Sequence, residues 1–330
     1  MQTSTSYLGL RLPHPFIAGA SPFGHSLDAV KRLEDAGWAA VVLHSLFEEQ
    51  ITAGADGSIR HMDPSDPLFA EELAYFPHPD DYPLGPDEYA AHISRLKSAV
   101  AIPIIGSLNG TAPESWLKFS RIIEQAGADA LELNLYEVVT NLAMPGAAVE
   151  DRLAGIVNDV KRLLTIPVAV KVSPYFTAFG NFARQLETAG ADALVLFNRF
   201  YQGDIDVKAM APAVNVSLSD SSELRLRLHW LSILHGRIRP SLAVSGGVAT
   251  PDDGVKAILA GADAVQIVSA LLRHGPRHVD AMRQGLERWM DWFHFERLEQ
   301  ARGGVSLERI ADAESYERAQ YIRTLQSWLR

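Results

Sequence analysis

Residues Leu242–Pro276 read LAVSGGVATPDDGVKAILAGADAVQIVSALLRHGP, and the architecture of the chain follows from them. An apolar run from Leu242 to Val244 stops on Ser245-Gly246-Gly247. Thr250-Pro251-Asp252 then begins an amphipathic helix, with an N-cap followed by proline at the first helical position. A second apolar run, Ala264 to Val268, ends in Ser269-Ala270, and Gly275-Pro276 breaks the short segment after it. The order is strand, tight turn, helix, strand. Two adjacent strand ends thereby offer free backbone N–H groups beside a small residue or a hydroxyl, which is what a phosphate dianion requires. A side chain in place of Gly246 or Gly247 would hold phosphate oxygens away from the amides. An ordinary β-to-α turn has the same look, so the rest of the chain must decide. The last loops of a (β/α)8 barrel and its short extra helix often hold a phosphate.

Working outward, Ala260-Gly261-Ala262-Asp263-Ala264-Val265 has counterparts at Asp35-Ala36-Gly37-Trp38-Ala39-Ala40, Ala126-Gly127-Ala128-Asp129-Ala130-Leu131 and Ala189-Gly190-Ala191-Asp192-Ala193-Leu194. Each copy lies where a helical pattern ends on glycine and strand-forming residues begin, the mark of a helix C-cap feeding a buried parallel strand. The patterning predicts strands at Phe16 to Ala20, Ala39 to Leu43, Pro103 to Gly106, Ala130 to Leu135, Pro167 to Val172, Ala193 to Phe197, Leu242 to Val244 and Ala264 to Val268, with amphipathic helices between them. Eight β/α units over 330 residues favour a closed (β/α)8 TIM barrel over an open sheet. The expected organisation is one domain spanning 1–330: a barrel over about 8–303, long βα-loop insertions, and a C-terminal helical tail over about 304–330. Two connections exceed the usual length, Leu46 to Pro86 (with Tyr75, Phe76 and Tyr82) and Arg199 to Ser222. Both leave the C-terminal ends of strands, so each is a candidate lid, or else a surface excursion or oligomer contact. Two further helices, Arg277 to Trp292 and Ser315 to Trp328, are expected to pack outside the barrel.

A net charge of −10 argues against nucleic-acid binding. No apolar run reaches membrane-spanning length and the N-terminus lacks a signal-peptide pattern, so a cytoplasmic protein is expected. With no cysteine, the chain has no disulfide, no cysteine-ligated cluster and no thiol base of its own. The eleven histidines show no metal-ligand spacing, and no metal is expected.

The strand ends carry the chemistry. The first ends in Ala18-Gly19-Ala20-Ser21-Pro22-Phe23-Gly24, small enough for a flat ring to lie on, or simply a turn. The second ends in His44-Ser45, and His44 is a packing residue or a site residue. On the fourth, Glu132 and Asn134 share a face by period-two alternation, the barrel interior or an exposed strand end. Lys171 interrupts the apolar run of the fifth, where it needs an anionic or carbonyl partner such as Glu132 or a bound cofactor. The sixth ends on Phe197-Asn198. A phosphate cradle with a lysine and two asparagines nearby suits flavin mononucleotide (FMN), because a cation near the N1/O2 edge stabilises the reduced ring.

These residues resemble the dihydroorotate dehydrogenase family, including the related flavin domain of dihydropyrimidine dehydrogenase. The likeness runs from Leu8 to about Gly303. It is most specific in Pro15 to Gly24, Glu132-Leu133-Asn134-Leu135, Val170-Lys171-Val172-Ser173-Pro174-Tyr175, Phe197-Asn198, Ser245-Gly246-Gly247-Val248 and Gln266-Ile267-Val268-Ser269-Ala270. The resemblance implies FMN as cofactor, with Ala20 and Ser21 against the flavin, Lys171 on the isoalloxazine, and Ser245, Gly246, Gly247, Ser269 and Ala270 at the phosphate. It implies that Asn134 and Asn198 touch flavin or substrate, with His44 at the substrate side, where the family has a lysine.

The departures lie on the substrate side. The family's fourth-strand loop, Asn-x-Ser-Cys or Asn-x-Ser-Ser, supplies the base, whereas this chain reads Asn134-Leu135-Tyr136-Glu137. Glu137 takes the base position, and a two-residue shift would bring Thr140 near it. The family's Asn-Ser-Met-Gly-Leu-Pro-Asn loop is absent from the long second connection.

The expected function is therefore an FMN-dependent dehydrogenase acting on a CH–CH group, as in pyrimidine biosynthesis. Its partners would be a small ring substrate, a soluble electron acceptor or separate redox protein, and a second copy in a dimer. The alternative is a flavin-binding paralogue that has lost this chemistry and acts as a regulatory or electron-transfer partner. A flavin-free phosphate-sugar isomerase is a third reading; a tRNA dihydrouridine synthase is disfavoured by the acidic charge and missing cysteine.

Overall fold

The computed structural model describes residues 1–47, 85–110, 112–199, 203–214, 217–308 and 310–327. Eight parallel strands close a barrel: β3 (Phe16–Ala18), β4 (Val41–Phe47), β5 (Ile104–Asn109), β6 (Ala130–Leu135), β7 (Val168–Val172), β8 (Ala193–Leu196), β11 (Ser241–Ser245) and β12 (Ala264–Ile267), with β12 returning to β3. The helices around it are α1 (Leu27–Ala36), α2 (Pro86–Ala99), α3 (Pro113–Gln125), α4 (Gly146–Leu163), α5 (Phe179–Thr188), α6 (Leu224–Leu234), α7 (Pro251–Ala260), the short α8 (Ser269–His274), α9 (His278–Trp292) and α10 (Ala313–Gln326). Before the barrel, β1 (Thr5–Tyr7) and β2 (Leu10–Leu12) form an antiparallel hairpin, and Tyr7, Leu8 and Leu12 pack among the lumen residues.

All four glycines of the repeated junction adopt left-handed backbone, with φ of 90° at Gly37, 95° at Gly127, 98° at Gly190 and 117° at Gly261. The repeat's aspartate does more than mark a boundary. Asp129 accepts the Ile104 amide at 2.7 Å, Asp192 that of Val168 at 2.7 Å, and Asp263 that of Leu242 at 2.8 Å. Each carboxylate thus ties the start of one strand to the start of its neighbour, and Lys97, Lys161 and Arg302 pair with them.

Alternation sorts the strands into two faces. Outward residues such as Leu131, Leu133, Val170 and Leu194 pack under the helices. The lumen's N-terminal half is filled by Ala130, Ala169, Ala193, Ala243 and Ala264 with Ile17, Val42 and Ile105. Two residues further along the same faces come Glu132, Lys171, Ser245, Gln266 and Ser107, so the interior turns polar toward the mouth.

Three strands end two or more residues from the patterning, β5 by running on to Asn109. β3 stops at Ala18, and β4 runs on to Phe47, with a register shift between Val42 and Ser45. Within the second long connection, β9 (Gly203–Asp206) and β10 (Ala211–Val214) form an antiparallel hairpin. In the first, residues 48–84, with Tyr75, Phe76 and Tyr82, lie outside the described residues, as does Trp328. Trp289 packs against the barrel's outer core, while Trp292 is 80% exposed. No helix of the described residues is long and apolar enough to cross a membrane.

Candidate active site at the barrel mouth

Lys171 stands in the lumen at the polar layer, 6% exposed. Its Nζ lies 3.3 Å from Glu132 Oε1 and 3.3 Å from Gln266 Oε1, and Gln266 Nε2 donates to Glu132 Oε2. Strands β6, β7 and β12 therefore close a ring of three side chains in which the glutamate is fully buried. An ammonium has three protons. Two are directed at these oxygens, and among the described residues the third has no acceptor.

One layer away, Asn134 Nδ2 lies 2.7 Å from Ser45 Oγ and 2.8 Å from Ser107 Oγ, while the two hydroxyls are 2.9 Å apart. Proton counting fixes the amide's orientation. Three contacts need three protons, which two N–H and one O–H supply; with the amide turned over, two hydroxyl protons would have to serve all three. Asn134 Oδ1 is then the atom left for another donor.

The register shift in β4 determines which residue joins this cluster. Two residues of β4 face one of β5 at such a bulge, which re-aims side chains, and Ser45 rather than His44 meets Ser107. Tyr89 of α2 occupies the gap: its hydroxyl donates to His44 O at 2.9 Å and accepts the Ser107 amide at 3.0 Å. His44 is 9% exposed and packs edge-on against His25 and Tyr89, with ring centroids 4.1 and 5.1 Å away. Among the described residues neither of its ring nitrogens has a hydrogen-bond partner. Burial, then repulsion from His25 and His92, lowers its pKa to about 3, so the ring is neutral.

At the other side of the mouth, Gly246 and Gly247 have φ of 85° and 80°. A β-carbon on Gly247 would lie 2.4 Å from Leu224 N, and one on Gly246 would lie 2.7 Å from Arg227 Nη2. The space a side chain would take at these turns thus belongs to protein atoms, not only to a ligand. Ser219, in the loop before α6, bridges the two strand ends: its Oγ accepts the Gly247 amide at 3.2 Å and bonds Ser269 Oγ at 2.8 Å. Ser245 and Ala270 are buried beside them.

The remaining expected residues are more dispersed. Ala20 packs against the lumen cluster, and Ser21 is buried at the start of a turn where its carbonyl accepts the Gly24 amide at 3.0 Å. Asn198 is half-buried, and its backbone is anchored on Val172 O. Glu137 and Thr140 lie on the exposed part of the loop after β6, where Arg152 Nη2 donates to Glu137 Oε2 at 2.5 Å.

The sequence reading left out Ser45, Ser107, Ser219, Arg227 and Gln266 as site residues. Ser107 and Gln266 carried a usable signal, a polar residue on the inward phase of an apolar strand. Arg227 and Ser219 carried none.

A family model described as dihydroorotate dehydrogenase matches residues 83–290, a span that holds β5 to β12 and with them Glu132, Lys171, Ser245 and Gln266. The chain is 27% identical over 318 residues to the dihydroorotate dehydrogenase B (NAD(+)) catalytic subunit of Thermoplasma volcanium, covering 93% of this chain and 99% of that one. It is 25% identical over 342 residues to the NAD-dependent dihydropyrimidine dehydrogenase subunit PreA of Escherichia coli K12, covering 97% of this chain and 80% of that one. It is 24% identical over 342 residues to the chloroplastic dihydropyrimidine dehydrogenase (NADP(+)) of Arabidopsis thaliana, covering 91% and 76% respectively.

Proposed function

The chain belongs to the dihydroorotate dehydrogenase family, and from that premise we propose that it is an FMN-dependent dehydrogenase removing two hydrogens from a CH–CH bond of dihydroorotate or a related small ring. The observation that carries this reading is Lys171, a cation buried in the mouth with one N–H unused among the described residues. The residues present fit the cofactor. The Gly246-Gly247 turn and Ser269, whose Oγ accepts from Ser219 and so keeps its own proton to donate, lie at one side of the mouth, and Lys171 and the Asn134 carbonyl oxygen lie at the other.

A bound flavin would supply the hydride acceptor. Lys171 would place its charge beside the ring edge on which electrons accumulate. Asn134, held by Ser45 and Ser107, would present Oδ1 to an N–H of the ring it faces. Glu137 or Thr140 would take the proton that leaves the substrate carbon, and Glu137 would do so on release from Arg152. The electrons would pass to a soluble acceptor or a separate redox protein, which the two relatives named as subunits support. We also place the protein in the cytoplasm, as a dimer.

The test is the visible spectrum of the protein reconstituted with FMN, followed by anaerobic titration with dihydroorotate. Bleaching of the bound flavin supports the reading, and a protein that stays colourless overturns it. The ion pair of Glu137 favours the second reading, a flavin-binding partner without a base. Glu137→Gln separates the two: an enzyme using Glu137 slows ring reduction at least about 100-fold, whereas a binding module shows no reduction before or after the change.

A further inference from the structure

Arg227, on α6, is 5% exposed and has no carboxylate in ion-pair range among the described residues. Its Nε donates to Ser245 O at 2.5 Å and its Nη1 to Glu223 O at 2.6 Å, both neutral carbonyls. The nearby Glu223 carboxylate is already held by Arg199, through bonds of 3.1 and 2.7 Å. Arg227 Nη2 has no acceptor among the described residues, and it is the atom that a β-carbon on Gly246 would approach to 2.7 Å. The guanidinium therefore lies against the first glycine of the cradle.

Burial lowers the pKa of Arg227, and Glu223 offsets this in part. Even so, arginine remains charged in proteins, so the cation stays buried without a counter-charge of its own. The surroundings add donors rather than acceptors. Ser269 Oγ accepts from the Ser219 amide and hydroxyl, which leaves its own proton to donate, while the Gly247 amide is taken by Ser219 Oγ; Arg273 secures the loop by donating to Ser219 O and Leu218 O at 2.8 Å each. The buried Asp253 carboxylate is turned to Ser221 Oγ, Thr250 Oγ1 and the amides of Ala249 and Thr250.

We propose that Arg227 is the counter-charge of the cofactor's phosphate, donating from Nη2 to a phosphate oxygen beside Gly246, so that the mouth selects a phosphorylated flavin over an unphosphorylated one. This rests on the flavin reading above and assigns the phosphate end to a residue outside the two strand-end loops. Arginine suits a dianion because its bonds are charge-assisted and directional.

Fluorescence-quenching titrations of the flavin-free full chain with FMN and with riboflavin test it. Wild type prefers FMN, and Arg227→Gln reduces that preference about 100-fold while riboflavin affinity stays within about twofold. A variant that keeps the full preference overturns the proposal. So does one that loses riboflavin equally, because Arg227 would then only hold the Ser245 and Glu223 carbonyls. If Arg227→Gln does not fold, Arg227→Lys keeps the charge without the fork; a several-fold loss of preference is expected, and full retention overturns the proposal. Inorganic phosphate, at matched ionic strength against chloride, should raise the melting temperature of wild type but not of the variant. Wild type that binds neither flavin yet is protected by phosphate, with the protection lost in the variant, would overturn the flavin reading and the flavin selectivity built on it, and leave only a phosphate contact of Arg227. Absence of both effects would overturn both.

Discussion

Lys171 Nζ and Glu132 Oε1 lie 3.3 Å apart inside the barrel, from neighbouring strands, with side chains 8% and 0% exposed. Removing one partner of such a pair leaves the other as an uncompensated buried charge, at a cost of about 3–5 kcal/mol. Glu132→Leu should lower the urea-unfolding free energy by that amount. The double variant Glu132→Leu with Lys171→Met should lose less than the sum of the single losses, by at least about 1 kcal/mol. Strict additivity would show that the two charges do not interact.

The bulge in β4 depends on one hydroxyl. Tyr89→Phe leaves the Ser107 amide and the His44 carbonyl without it. Each buried group so orphaned costs about 1–3 kcal/mol. A loss of roughly 2 kcal/mol or more in chemical denaturation is expected. Unchanged stability would mean that the tyrosine merely fills space.

His44 and His14 make the fold acid-sensitive. Burial lowers their pKa values from 6.5 to about 3 and about 4, so below pH 6.5 the unfolded chain binds protons that the folded chain refuses. Their contribution is complete above about pH 7 and falls as pH drops from 6.5 toward 3–4, the loss reaching about 2 kcal/mol each by pH 5. His14 uses both ring nitrogens, on Gly37 O at 2.8 Å and the Phe16 amide at 3.3 Å, whereas His44 uses neither among the described residues. His44→Phe should therefore remain folded at pH 7 and lose about 2 kcal/mol less than wild type between pH 7 and pH 5. Urea titrations at the two pH values decide it, and an unaltered pH slope would count against a neutral buried imidazole.

Two glycines of similar φ should respond unequally to alanine. At Gly275, with φ of 77°, a β-carbon meets nothing within 4 Å. The ψ of 179° places Gly275 in a region essentially restricted to glycine, so backbone strain alone opposes alanine there, at roughly 1–3 kcal/mol. At Gly247, with φ of 80°, the β-carbon falls 2.4 Å from Leu224 N, a backbone atom that cannot swing aside. Gly247→Ala, which adds this clash to its own backbone strain, should lower the melting temperature further than Gly275→Ala. Equal losses would mean that α6 can yield at its first turn.

The barrel was legible because its signals are local. Glycine at each helix end, proline at helix starts and near-continuous apolar strands are fixed by backbone sterics and burial within a few residues of chain. Alternation likewise put Glu132, Asn134 and Lys171 on faces that the closed sheet turns inward, and Lys171 within a fully apolar run announced a partner. The helix that Thr250-Pro251-Asp252 announced does begin at Pro251, with Thr250 as its N-cap.

What tertiary structure alone decided lies where strands or distant loops meet. The β4 bulge exchanges Ser45 for His44 in the polar cluster because a tyrosine from α2 bonds the widened ladder, and no periodicity within β4 contains that tyrosine. Arg227 reads as one more polar residue on a surface helix, yet it is buried because α6 enters against Gly246 and Gly247. Glu137 meets Arg152 across a loop. A sequence states which face of an element avoids water; which charges come to share that face follows from how the elements close on one another.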